Sequence, residues 1–230
     1  MNNQEIYRER YKKIYPKWKE STTIYHDLIL KNVNEKTYLL DVGCGHSTLL
    51  ADIYSKTTNT YGIDPDINAL KRNTLIKNIK NCFVEKMPYK DNFFDLVICS
   101  WVLEHLLEPK KSFKEIYRVL KPSGKLIFLT PNRLNYNVWI IRLIPQRFHN
   151  FLTQKLYNRQ EHDTFPKHYK VNTPKDIEKI LIPIGFKKDT LLLNEDPSYI
   201  SFNTLTFKIA LLLEKIFKKR KVHIIGEYRK

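Results

Sequence analysis

The stretch YLLDVGCGHSTLL, residues 38–50, constrains this chain more than any other. Apolar residues run into an acid, two glycines follow one residue apart, and a polar turn comes next. This is the pattern of a buried strand that ends in a glycine loop and opens a helix. Glycine lets a backbone approach a ligand closely because no Cβ stands in the way. Nineteen residues after Gly45 comes Asp64, in TYGIDPD, which reads as a second strand ended by an acid and a proline. At that distance the acid can reach the hydroxyls of a ribose held over the glycine loop.

The rest of the chain continues the alternation. NCFVEKMPY, FFDLVICSW and GKLIFLTPN read as strands 3, 4 and 5. STLLADIYS, INALKRNTLIKN and PKKSFKEIYRVLK read as the helices between strands, the last stopped by KPSG. Alternating strands and helices predict βαβ units and a parallel sheet. Right-handed crossovers then bring the loops after the strands to one edge. Residues 5–33 read as helix with a break at Pro16, so 1–35 is expected to form a helical cover. After Asn132 the pattern changes: residues 133–170 are rich in aromatic residues, arginine and histidine, and read as an insert over the strand ends. A helix capped at Asn172 or Thr173, with Pro174 in its first turn and Gly185 at its stop, leads to strand 6, FKKDTLLL. Residues 194–221 read as a helical insert with an amphipathic helix at 204–219, and KVHIIGEYRK as strand 7. The whole reads as one α/β domain.

Which nucleotide the loop takes is narrowed by what is missing. The third glycine of a dinucleotide site is absent from GCGHST, and no G-K-[ST] holds a triphosphate. Asp41, just before the loop, would repel a pyrophosphate but accept a hydrogen bond from an ammonium group. A ligand with a ribose, an amino-acid tail and no phosphate fits better, and S-adenosylmethionine has those parts.

With LLDVGCG, YGIDPD, EKMPYKDNFFDLVICSWVLEHL and EIYRVLKPSGKLIFLTPN in that order, the sequence resembles the class I S-adenosylmethionine-dependent methyltransferases, in their small-molecule branch. The resemblance implies a Rossmann-like, mostly parallel seven-stranded sheet of order 3-2-1-4-5-7-6, with helices on both faces. It implies that Asp41, Gly43, Cys44 and Gly45 line the methionine moiety. Asp64 would hold the ribose, with Pro65 beside the adenine. Val84, Glu85 and Lys86 would cover the adenine edge, and Ser100 and Trp101 would flank the sulfonium. Where the family often has an acid contacting the adenine amino group, this chain has Phe83, so adenine is held by backbone and stacking, or Glu85 substitutes.

A sulfonium methyl is already activated, so an enzyme has mainly to align a nucleophile and exclude water. For a hydroxyl nucleophile a base helps, and histidine is the natural candidate near neutral pH. His105, just past strand 4, and His162, His168 and Tyr169, in the insert, are the candidate catalytic groups. Residues 133–170 are read as the lid over the acceptor pocket. The acceptor is expected to be a small molecule, a glycan or a lipid-linked compound, methylated on oxygen.

Net charge is +16. It is uneven: residues 41–100 carry seven basic and seven acidic side chains, whereas 208–230 carry eight and two. Such an excess attracts nucleic acid or anionic lipid. A methyltransferase acting on base amino groups usually has an N-P-P-Y-like turn after strand 4, where this chain has CSWV, and no Pro-Cys pair offers a nucleophile to a pyrimidine ring. An RNA substrate, or cofactor binding without catalysis, is therefore the alternative. Peripheral contact with an anionic membrane fits NYNVWIIRLIPQRFHNFL and the 204–219 helix. The three cysteines, with no metal-ligand spacing, and the lack of an apolar signal core in MNNQEIYRERYKK suit the cytoplasm.

Overall fold

The computed structural model describes residues 3–46, 48–136 and 166–230. Among them seven strands form one sheet: β1 (Leu39–Val42), β2 (Thr60–Asp64), β3 (Asn78–Asn81), β4 (Phe94–Ser100), β5 (Leu120–Pro131), β6 (Lys187–Asn194) and β7 (His223–Arg229). Their order is 3-2-1-4-5-7-6, as the resemblance implied. β1 to β5 pair in parallel, and β7 runs antiparallel between β5 and β6. The carboxyl ends of β1 to β6 therefore share one edge.

Two faces are buried, and the strands divide between them residue by residue. Leu40, Val42, Val97, Leu126 and Phe128 pack with Phe113, Ile116, Ile177 and Leu181 from α5 (Pro109–Val119) and α6 (Pro174–Ile184). Leu39, Leu96, Ile98, Ile127 and Leu129 pack on the other face with Tyr25, Ile29, Ile53 and Leu70. Those come from α2 (Ser21–Leu30), α3 (Ala51–Tyr54) and α4 (Ile67–Arg72). This is the two-residue period of a strand with both faces covered, and it explains why FFDLVICSW is nearly all apolar.

The expected cover is two helices rather than one interrupted one: α1 (Asn3–Ile14) and α2, parted at Pro16. Two further boundaries move. The helix expected over 67–78 stops at Arg72, and strand 3 lies at 78–81 instead of 81–89. Asn73 is the cause. Its Nδ2 donates to the Gly45 carbonyl at 2.8 Å, and its Oδ1 accepts from the Leu75 and Ile76 amides at 3.1 Å each. The side chain takes over the backbone groups a further helical turn would have used, so the chain turns early. The helix expected over 47–55 is likewise only α3, four residues long.

α6 begins as expected, with Thr173 accepting from the Asp176 amide at 3.1 Å, and ends at Gly185, whose φ is +116°. The amphipathic helix expected over 204–219 is α7 (Thr204–Ile216), opened by a reciprocal cap between Asn203 and Thr206.

Of the six glycines, Gly226 has the least room for a side chain. A Cβ built there would lie 2.2 Å from Cζ of Phe128, on the neighbouring strand β5. Gly226→Ala should destabilise the fold by about 1–3 kcal/mol, the usual scale of overpacking. Gly226→Ala with Phe128→Leu should recover part of that loss, because the clashing ring edge is gone. Denaturant midpoints for the wild type and the two variants check both statements.

Candidate functional site

The site grows from the ends of β1 and β2. Gly43 has a φ of +73° and Gly45 a φ of +45°, left-handed values that suit glycine. Gly43 is also bound by space, since a Cβ there would lie 2.4 Å from Cγ2 of Val102. The amides of Gly43 and Cys44 donate to the Ile63 carbonyl at 2.8 and 3.1 Å, tying the loop to β2. The Gly45 amide donates to Oδ2 of Asp64 at 2.9 Å, and the Asp66 amide to Oδ1 at 2.8 Å. Asn81, at the end of β3, donates to the Asp64 carbonyl at 2.9 Å. The carboxylate is thus oriented by two backbone donors. Burial nevertheless raises its pKa from the ordinary value, outweighing those donors.

Asp41 is nearly sealed off. Its Oδ2 accepts from the Tyr54 hydroxyl at 2.5 Å. Burial pushes its pKa up to about 7, against the hydrogen bond from Tyr54 and with help from the negative charge of Asp64. A buried carboxylate in this state gains strongly from a cation. The ammonium of an amino-acid tail is such a cation, and the residues around the glycine loop fit that group. Cys44 lies in the same loop with its sulfur packed over Gly62, and burial pushes its thiol far above the ordinary value. It is a small loop residue with no nucleophilic character.

Past the ends of β1, β2 and β3 the chain exposes Leu49, Ile67 (the first residue of α4) and Phe83 in turn. Phe83 is 67% exposed. Glu85 accepts from the Ser112 hydroxyl on α5 at 2.9 Å, Val84 is buried in the core, and Lys86 is exposed. Pro65 follows Asp64 directly, between these loops.

Past β4, Ser100 is half-buried and Trp101 adopts a φ of +59°. A left-handed bulky residue costs about 1–3 kcal/mol and is found where surroundings hold it for a purpose. Here the Trp101 amide donates to the Leu129 carbonyl at 2.9 Å, and its ring meets that of His223 edge-on at 5.0 Å. His223 is buried and its pKa is lowered to about 4 by burial, so the indole rests on a neutral imidazole.

The next turn, Leu103–His105, anchors the far end of the insert. His105 Nδ1 lies 2.9 Å from the Pro166 carbonyl. A carbonyl only accepts, so Nδ1 is the donor in this contact. The His168 and Tyr169 amides both donate to the Glu104 carbonyl, at 2.7 and 3.1 Å, and Tyr169 has a φ of +50°. Lys170 Nζ donates to the Leu107 carbonyl at 2.8 Å. Buried Glu104 accepts from Thr130 of β5 at 3.1 Å, and Thr130 in turn accepts from Asn172 at 2.6 Å. The chain re-entering after the insert is therefore fastened to the ends of β4 and β5. His168 and Tyr169 are brought beside His105. His162 lies outside the described residues, as does the lid apart from 133–136 and 166–170.

Tyr54, Asn73, Asn81, Leu49, Ile67 and Val102 were not singled out in the sequence. Asparagines bracketing a strand after an acid could have signalled loop bracing. Tyr54 gave no signal, because its meeting with Asp41 needs the fold.

Comparison with known proteins agrees with this geometry. The family described as "Methyltransferase domain" matches residues 40–128, which run from β1 through most of β5. An uncharacterized protein of Methanocaldococcus jannaschii is 43% identical over 108 residues, covering 46% of each chain. The ubiquinone biosynthesis O-methyltransferase of Nitrosomonas europaea is 28% identical over 143 residues, 55% of this chain and 60% of the relative. The chain spans about half the length of the curated relatives it matches. Among solved structures, an S-adenosylmethionine-dependent methyltransferase from Mesorhizobium loti superposes with a TM-score of 0.60 at 15% identity, covering 89% of this chain and 95% of the other. Residues 40–128 thus match a methyltransferase domain, and the sheet order 3-2-1-4-5-7-6 is the fold shared with the S-adenosylmethionine-dependent methyltransferase from Mesorhizobium loti.

Proposed function

We propose that this chain transfers a methyl group from S-adenosylmethionine to an oxygen of a small-molecule, glycan or lipid-linked acceptor. The observation that carries the reading is the pair of buried carboxylates beside the glycine loop: Asp41 of β1, which leads into it, and Asp64 at the end of β2, bonded to its Gly45 amide. Asp41 takes the ammonium of the methionine tail, Asp64 the ribose hydroxyls, and Leu49, Ile67 and Phe83 the adenine faces. When bound, the cofactor supplies an activated methyl on sulfur. Ser100 and Trp101 bound the space where that methyl lies. His105 accepts the acceptor's hydroxyl proton on Nε2, while the Pro166 carbonyl holds the opposite ring nitrogen. The similarity to a ubiquinone biosynthesis O-methyltransferase supports an oxygen nucleophile on a small molecule. Among the described residues no helix is long and apolar enough to cross a membrane, so a lipid-linked acceptor would be met from the membrane surface.

Transfer of labelled methyl from S-adenosylmethionine into separate pools of phenols and quinols, glycans, lipids and RNA tests the reading. Label in RNA alone would favour the nucleic-acid alternative, and binding without transfer to any pool would favour a non-catalytic role.

Asp64→Ala should weaken binding of S-adenosylhomocysteine by roughly 1–3 kcal/mol, the scale of a lost hydrogen bond to a charged group. Calorimetry on wild type and variant measures it, and unchanged affinity would remove Asp64 from the site.

The same titration should depend on pH. Asp41 must be ionised to hold an ammonium, and its pKa in the free protein is about 7. Affinity should rise as pH increases from 6 to 8, being roughly tenfold weaker at pH 6 than at its plateau. For stability of the free protein the sign is opposite. The raised pKa of Asp41 favours the folded state below the unfolded value, and that contribution is lost as pH climbs from about 4 through 7. Asp41→Asn should flatten both profiles.

His105→Ala should lower turnover by about 10²–10⁴-fold, the contribution of a positioned base. Its affinity for S-adenosylhomocysteine should stay within a factor of a few. A variant with full activity would show that His105 serves only to fasten Pro166.

A further inference from the structure

An open hollow of about 630 Å³ lies apart from the glycine loop, between the helical cover, the end of β6 and α7. Tyr11, Tyr15 and Trp18 form one wall. Tyr11 meets Tyr15 at 4.7 Å between centroids and Trp18 edge-on at 5.0 Å, and the Trp18 Nε1 donates to the Glu195 carbonyl at 3.1 Å. The wall is thus built and braced. Ile24 and the exposed Leu192 extend it as apolar surface.

The charges in this cavity divide unequally. Its two carboxylates are already satisfied from within the protein. Glu214 accepts from the Tyr136 hydroxyl at 2.6 Å and pairs with Lys221 at 2.8 Å. Glu195 accepts from Tyr11 at 3.2 Å and lies 3.5 Å from the same Lys221. Lys19 turns to Asp27 at 2.5 Å. Three cations remain at the rim: Lys17, Lys215 and Lys218 have no ion-pair partner among the described residues. A cationic ligand would meet carboxylates already engaged and three like charges. An anion would meet three free ammonium groups above an aromatic wall.

We propose that this cavity binds a phosphate-bearing amphiphile, with its apolar or aromatic body against Tyr11, Tyr15 and Trp18 and its phosphate between Lys17, Lys215 and Lys218. A volume of this size holds a ligand of ordinary cofactor dimensions. An ammonium group recognises phosphate as a point charge, which suits a mobile lysine rim. The excess of basic residues in 208–230 then has a specific use at Lys215 and Lys218. β6 runs parallel to β5, so the cavity opens at the same sheet edge as the cofactor loops. If the methyl transfer proposed above is right, the cavity can anchor one end of an acceptor whose other end reaches Trp101; phosphate binding itself does not depend on that reading.

The test is calorimetric titration of the full chain with farnesyl phosphate below its micelle-forming concentration, with farnesol, and with inorganic phosphate. Comparison variants are Lys17→Ala/Lys218→Ala and the charge-matched control Lys110→Ala/Lys114→Ala, on exposed positions of α5. Farnesyl phosphate should bind more tightly than either fragment. The Lys17/Lys218 variant should lose at least about tenfold in affinity, as expected when charged hydrogen bonds are removed, and the control should lose less than twofold. Sedimentation with phosphatidylglycerol vesicles separates a membrane headgroup from a soluble phosphate: for a cavity ligand, soluble farnesyl phosphate releases the protein from vesicles. Equal losses in both variants, no binding of farnesyl phosphate, or vesicle binding that farnesyl phosphate leaves unchanged would each overturn the proposal. S-adenosylhomocysteine affinity, measured in the same samples, reports separately on the cofactor site and should be the same in all three proteins.

Discussion

The hydrogen bond from the Gly45 amide to the Asp64 carboxylate holds the cofactor end of this protein in shape. It joins the loop after β1 to the end of β2 and fixes the direction of the carboxylate. Asn73 then binds the Gly45 carbonyl, and Asn81 binds the Asp64 carbonyl, so both peptide groups that flank the bond are braced from elsewhere. Backbone donors and acceptors at a strand end have lost their sheet partners and must find others. Here they find the side chains of Asn73, just past α4, and Asn81 of β3, which tie the glycine loop and the end of β2 to their neighbours.

A similar arrangement operates at the other half of the edge. Buried Glu104 links the turn after β4 to Thr130 on β5, while its carbonyl receives the returning chain at His168 and Tyr169. The protein thereby places a candidate base, His105, and the root of the insert on the same short turn. Any acceptor held beneath the insert would be near both. Trp101, with its left-handed backbone, lies between this turn and the cofactor loops, resting on a histidine that burial keeps uncharged.

The basic excess behaves differently in the two halves. Around the cofactor loops, charges balance and carboxylates are the buried groups. Along the cover and α7, carboxylates are consumed by tyrosines and Lys221, leaving lysines at the surface. Charge in this protein is therefore placed by fold position: buried carboxylates beside the glycine loop, and lysines along the cover and α7.

Much of this was legible in the chain. The two-residue and helical periods gave the strands and helices, because both faces of a parallel sheet must be apolar. The spacing of the glycine loop and Asp64 foretold their meeting, which the bond from the Gly45 amide to the Asp64 carboxylate makes, because that spacing is set by one βαβ unit. Local signals misplaced β3 and the end of α4, since what stops that helix is a bond from Asn73 to Gly45, twenty-eight residues away. Only the tertiary structure brought Tyr54 to Asp41, tied Asn73 to the Gly45 carbonyl, and formed a hollow lined by residues as far apart in the chain as Trp18 and Lys218. The physical reason is common to all three. Short periodicities report which side of an element is buried, whereas contacts between distant elements depend on how their surfaces pack, and a single sequence carries no local mark of that.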